Sequence, residues 1–133
     1  MTGISFGAIV LTDFPFTDLS ASKRRPALVV SGDNDRRTDV VVAYITSVPR
    51  IELDAVPIMP TPGNGLKVPS LVRFDKLATV DKAIIAGRLG NADPGWLLRH
   101  RGVFFGVFGF GLSALTLPST SSSRQRQPRQ PAG

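Results

Sequence analysis

Eight side chains are of the types that bind an anion and move a proton beside it: Arg24, Arg25, Thr46, Ser47, Ser70, Arg73, Asp75 and Lys76. Guanidiniums set beside a hydroxyl and a carboxylate are the parts needed to grip a phosphodiester and stabilise an extra negative charge on it. Each also has a plainer reading. Lys23, Arg24 and Arg25 can be solvated cations that keep a strand edge from aggregating. Thr46 can be an ordinary strand threonine. Asp75 can be a salt-bridge partner of Arg73 or Lys76, because residues two apart on a strand share a face.

Other chemistries are excluded by what the chain lacks. Cysteine is absent, which removes thiol nucleophiles, thiolate metal sites and redox chemistry and fits a reducing, cytoplasmic setting. A single histidine, His100, rules out a His-rich metal cluster and a paired-imidazole mechanism. There is no P-loop, GxGxxG, HExxH, CxxC or GxSxG run. P-loop nucleotide hydrolysis and zinc hydrolysis are therefore not expected, and no residue pattern calls for a cofactor. The formal charge of +6 permits a polyanionic partner. Three of those charges, Arg124, Arg126 and Arg129, sit in an acid-free C-terminus and leave a body of only +3, so charge alone does not argue for nucleic acid. The start, Met1-Thr2-Gly3-Ile4-Ser5, lacks the pattern of a secretory signal. The uncharged run Val103 to Leu117 is shorter than the roughly 20 residues that span a bilayer, and no membrane association is expected.

The elements that must hold the eight side chains can be read from pattern. Phe6 to Phe14 is β-branched and aromatic and stops at Pro15. Pro26 sets an extended backbone for a second strand, Ala27 to Ser31, which Gly32-Asp33-Asn34-Asp35 ends. Val40 to Ser47 is an apolar run long enough to be a central strand buried on both faces. If it neighbours the second strand, Thr46 and Ser47 fall at the same rim as the cationic loop. Ala55 to Met59 reads as a short strand, Pro60 to Gly65 as loop, Pro69 to Asp81 as a longer strand, and Ile84, Ile85 and Leu89 as a last short one. Asn91-Ala92-Asp93-Pro94 can cap a helix carrying Trp96, Leu97, His100, Val103, Phe104, Val107 and Phe108, weakened by glycines 95, 102, 106 and 109. Trp96 and His100 belong to helix packing or partner contact on this reading. After Leu117 the Ser, Gln, Pro and Arg composition predicts a disordered basic tail. The expected architecture is mainly β, a small barrel followed by a helix.

In order along the chain stand Gly7-x-Ile9-Val10-Leu11-x-Asp13-Phe14-Pro15-Phe16-Thr17-Asp18, Lys23-Arg24-Arg25-Pro26-Ala27-Leu28-Val29-Val30, Ala43-Tyr44-Ile45-Thr46-Ser47, and Gly65 to Lys82 with its Val72-Arg73-Phe74-Asp75 core. This set resembles the PemK/MazF toxins of toxin-antitoxin systems over roughly residues 4 to 110. The resemblance implies a toxin domain spanning 1–110, with 111–133 as an added tail, built on an SH3-like barrel. It implies a cytoplasmic homodimer that cuts single-stranded RNA without a metal and is silenced by a cognate antitoxin. It assigns catalysis to Arg25 and Thr46, with roles in some members for Arg73 and Asp75.

The residues permit a matching mechanism. A ribose 2′-OH attacks its own 3′-phosphate, Arg25 and Arg73 supply positive charge, Asp75 is the base candidate and Thr46 orients. A guanidinium does not give up its proton in proteins, so Arg25 is expected to act through its charge. Arg24, Ser47, Ser70 and Lys76 are the expected RNA contacts, with solvent the simpler role for Arg24. One departure from the family pattern is Ala8, where an acid is usual and could orient the arginine; the other is the C-terminal extension. These leave two rivals on the same barrel, a non-catalytic gyrase-type poison or regulator and a degenerate relative that binds RNA without cutting it.

Overall fold

The computed structural model describes residues 4–13, 24–49 and 54–110. In chain order they form β1 (Ala8–Thr12), β2 (Arg25–Val29), β3 (Asp39–Thr46), β4 (Ala55–Ile58), β5 (Ser70–Asp81), a 3-10 turn (Lys82–Ile84), β6 (Gly87–Asn91) and α1 (Pro94–Gly106). The strands pair antiparallel in one curled sheet, a half-barrel of order β4-β5-β3-β2-β1-β6, closed at its C-terminal end by the helix. This is the mainly β, barrel-like architecture expected from the strand pattern, and it agrees with the SH3-like barrel that the resemblance implies. The expected tail at 111–133, Lys23 and the loop from Phe14 onward lie outside the described residues.

β3 is central because both of its faces carry core residues. Its Ala43 and Ile45 join Ile9, Leu28, Val72, Phe74 and Trp96 on one face. Val40 and Val42 join Ala8, Val10, Ala27, Val29 and Val80 on the other. The β2–β3 register pairs Ala27 with Tyr44, Leu28 with Ala43 and Val29 with Val42, and these alternate faces as a strand must. Pro26 is tolerated within β2 because its ladder partner is Leu11 on β1, while pairing with β3 begins one residue later. β5 runs the length of the sheet by bulging. Its partners jump from Leu77 opposite Ala43 to Arg73 opposite Tyr44, so Phe74, Asp75 and Lys76 leave the β3 ladder. That release lets Phe74 reach the helix side of the core, where its ring meets Trp96 at 6.3 Å and Phe104 at 5.7 Å.

Two expected boundaries are corrected. Ile84 lies in the 3-10 turn and Ile85 caps it, so neither is in the last strand, because the Asp81 carboxylate accepts from Ala83 N at 2.8 Å and turns the chain first. The strand then runs from Gly87. The second strand also starts at Arg25, two residues earlier than expected, so the arginine is part of the sheet and not of the loop. The helix start follows the sequence: Asp93 is the N-cap, accepts from Trp96 N at 3.1 Å, and Pro94 opens the first turn. Trp96 is buried and donates its indole N–H to Pro57 O at 3.0 Å, tying α1 to β4. His100 packs against Trp96 with ring centroids 4.9 Å apart.

The loop after β4 is pinned by one buried side chain. Asn64 accepts from Thr61 N and Leu66 N at 3.0 and 2.9 Å and donates to Met59 O at 2.8 Å. Gly65 has φ +72, and Gly63 O accepts from Asn91 N at 2.8 Å, so the loop is stitched to β6. A Cβ on Gly90 would stand 2.2 Å from Gly63 O and 2.7 Å from the Asn64 carbonyl carbon, whereas one on Gly87 would meet nothing within 4 Å. Gly90→Ala should therefore lower stability by roughly 2–3 kcal/mol and Gly87→Ala by less than about 0.5 kcal/mol, measured by urea unfolding. Equal midpoints for the two variants would refute the close approach.

Candidate active site

The rim where β1 and β3 end and β2 and β5 begin holds a cavity of about 370 Å³. Arg25, Tyr44, Thr46, Ser47, Lys67 and Ser70 supply its polar wall; Leu11, Pro26, Ile45, Leu66 and Leu89 supply its apolar floor. A shallower apolar cleft of about 260 Å³, bounded by Pro49, Pro57, Met59, Pro69 and Leu71, lies on the other side of Thr46, Ser47, Val48 and Ser70. Thr46 and Ser70 thus stand on the ridge between two clefts.

The sheet brings the two leading candidates together. Carrying the β2–β3 register two residues past Ala27–Tyr44 sets Arg25 opposite Thr46, with both side chains on one face. Directly opposed residues on antiparallel strands have Cβ atoms about 4.5–5.5 Å apart. Arg25 is half-buried and Thr46 is buried.

The hydroxyls on the ridge have fixed polarity. Thr46 Oγ1 accepts from Val48 N at 3.1 Å as the chain turns away from β3, which leaves its O–H free to donate. Ser70 does the reverse. Its hydroxyl donates to Val68 O at 2.9 Å, which leaves lone pairs to accept. The cavity therefore presents a cation, a donor hydroxyl and an acceptor hydroxyl, with the Lys67 ammonium on the same wall. Lys67 was not among the expected contacts. Its signal is the Asn64-Gly65 turn just before it, which folds the loop over the strand ends.

The remaining expected residues fall elsewhere. Arg24 is exposed and does not line the cavity. Arg73 and Asp75 also lie off it and are held by each other: Arg73 Nε donates to Asp75 Oδ1 at 2.9 Å and Nη2 to Oδ2 at 2.8 Å. Arg73 is 5% exposed, while the Asp75 side chain keeps 31% of its surface in solvent. The hydrogen bonds from Arg73 hold the Asp75 carboxyl below its usual value, against the opposing pull of burial and with help from the Arg73 and Lys76 charges. A carboxylate so held is a poor proton acceptor. Lys76, in the bulge of β5, does not line the cavity either. Ala8 is fully buried in the core. It lies four residues before Thr12, the ladder partner of Arg25, so about 13 Å of strand separates it from the arginine's position and an acid there would not touch Arg25. Among the described residues no group of His, Cys, Asp and Glu could hold a metal ion. No described helix is long and apolar enough to cross a membrane.

Fold and cavity define a small half-barrel domain with a cleft at its strand ends, lined by cations and hydroxyls. The model of the PemK-like, MazF-like toxins of type II toxin-antitoxin systems matches residues 5–97, and the chain belongs to that family. A protein of Mycolicibacterium smegmatis (strain ATCC 700084 / mc(2)155) named probable endoribonuclease MazF is 35% identical over 92 residues, covering 65% of this chain and 84% of that one. Among solved structures, an endoribonuclease in complex with its cognate antitoxin from a mycobacterial species superposes with a TM-score of 0.63 at 21% identity, over 87% of this chain and 98% of that one. MazE-MazF from Deinococcus radiodurans gives 0.64 at 21% identity, over 82% and 98%. At that identity the two structures speak for the fold.

The Arg73–Asp75 pair has a pH signature. The Asp75 carboxyl titrates lower in the folded chain than its ordinary value of 3.8, so the pair's contribution is fully present above that value and is lost as pH falls through the folded one. Asp75→Asn should cost about 1–2 kcal/mol at neutral pH, a figure kept low because the carboxylate is partly solvated. The gap to the parent chain should close as pH falls below the ordinary carboxyl value of 3.8, followed by urea unfolding at each pH. A gap independent of pH would overturn this account.

Proposed function

We propose that this chain is a toxin endoribonuclease that cuts single-stranded RNA without a metal, acting as a cytoplasmic homodimer that a cognate antitoxin silences. The observation that carries the reading is the placement of Arg25 and Thr46 on opposed strands at one wall of one cavity. Family membership and relatives named as endoribonucleases and antitoxin complexes support it.

In the proposed reaction the scissile phosphate sits between Arg25 and Thr46. The clefts on either side of the Thr46–Ser70 ridge leave room for the flanking nucleotides. The ribose 2′-oxygen attacks the adjacent phosphorus; a new P–O2′ bond forms, the P–O5′ bond breaks, the leaving 5′-oxygen takes a proton from water, and the products end in a cyclic phosphate and a free 5′-OH. Arg25 offsets the charge that builds on the non-bridging oxygens, and the Thr46 O–H donates to one of them. Ser70, whose own proton is committed to Val68 O, accepts from the 2′-OH and aims it. This gives Ser70 a reason to prefer ribose to deoxyribose. Lys67 and Ser47 contact neighbouring phosphates.

Asp75 and Arg73 take supporting roles in this reading. The lowered carboxyl and its place off the cavity make Asp75 a positioning residue for Arg73, and the 2′-OH proton leaves to solvent base. Without a side-chain base the chemistry should be slow.

The test is cleavage of a long unstructured RNA in EDTA. The parent chain should cut it; Arg25→Ala should be slower by about 10²–10³-fold and Thr46→Val by about 10–10²-fold, with Thr46→Ser retaining most activity. A single 2′-deoxy substitution at the cut site should abolish cutting there. Intact RNA with salt-sensitive binding would replace this reading by the non-cleaving relative, and no effect on RNA at all would favour the protein-binding poison.

A further inference from the structure

Beside Arg25 the sheet places a residue that neither the family pattern nor the proposed chemistry uses. Thr12 is the ladder partner of Arg25 across β1 and β2, and it is 1% exposed. Its Oγ1 is buried and makes no hydrogen bond among the described residues; the same holds for Arg25 Nε. Native interiors rarely leave two polar atoms unsatisfied side by side, since each loses its hydration with no bond in return. Opposed residues of an antiparallel pair point to the same face, with Cβ atoms about 4.5–5.5 Å apart. The threonine hydroxyl branches from Cβ, whereas Nε lies three bonds further out on its own side chain. A single buried water bonded to both atoms would satisfy each of them. Two buried polar partners meet the minimum such a water needs.

We propose that Thr12 is a positioning residue for Arg25, acting through one water that its hydroxyl shares with Arg25 Nε. The bridge anchors the inner end of the guanidinium, so only the outer Nη groups remain to meet the phosphate in the cavity. A row of three polar residues then crosses the sheet at the strand ends: Thr12 on β1, Arg25 on β2, Thr46 on β3. The first hydroxyl fixes the cation and the last contacts the substrate. The inference rests on Arg25 carrying the charge of the proposed cleavage, but the anchoring itself can be read without any cleavage.

Thr12→Val keeps the shape and β-branching and removes only the hydroxyl; Thr12→Ser keeps the hydroxyl. If Thr12 positions Arg25, Thr12→Val should lower kcat about tenfold or more with KM within about twofold, and Thr12→Ser should restore kcat to within about threefold. Independently of activity, the Arg25 Nε–H resonance in ¹⁵N-resolved spectra of the full chain should shift and exchange faster with solvent in Thr12→Val, and should stay put in Thr12→Ser. Thr12→Ala serves the same two measurements should the valine variant not fold. An Nε–H resonance unchanged in Thr12→Val, or an unchanged kcat with a raised Tm, overturns the proposal, because a hydroxyl without a role is better replaced by a methyl. A parent chain that leaves RNA intact would sink the cleavage reading alone, and the resonance would still decide on the anchor.

Discussion

The antiparallel register between β2 and β3 is the constraint on which this molecule turns. Ala27, Val29 and Val42 are fully buried on one face and Leu28 and Ala43 on the other, so a slip by one residue would drive each set into the core shaped for the other. The same register, carried to the strand ends, decides that Arg25 and Thr46 share a face and a cavity wall. The core thus does two things with one set of contacts. It stabilises the sheet through burial, and it sets a cation opposite a hydroxyl at a spacing that loops could not hold as tightly.

Three arginines next to or within these strands show how environment separates residues of one type. Arg24 is exposed and keeps its hydration. Arg73 is buried and bound by two hydrogen bonds to Asp75, so its charge is largely spent inside the protein. Arg25 lies between these extremes, half-buried, with its inner nitrogen shielded and its outer end on the cavity. Only that intermediate position leaves a guanidinium both desolvated enough to act strongly and open enough to meet a ligand. The ridge hydroxyls are differentiated in the same way: the turn after β3 makes Thr46 a donor, and the turn before β5 makes Ser70 an acceptor.

Much of the fold was legible in the linear chain. The β-branched runs, the Gly and Pro turns and the Asp93-Pro94 cap are local signals, set by backbone sterics and by side-chain hydrogen bonds a few residues long. Arg25 and Thr46 were picked out by the family resemblance, and the strand pattern added that they share a rim if the second and third strands are neighbours. The last strand was misplaced by the Asp81 cap, a short-range hydrogen bond that overrode the apolar character of Ile84.

What the sequence determined by itself is the identity of the strands, the helix start, and the arginine and threonine at their ends, because those depend on residue type and spacing alone. The tertiary structure alone decided the rest. Lys67 joins the cavity because Asn64 and Gly65 fold a loop back over the sheet. Phe74 reaches the helix side of the core because β5 bulges, and Thr12 meets Arg25 because β1 pairs with β2 in one register. Each of these depends on which distant backbones lie side by side, and a local pattern carries no information on that pairing.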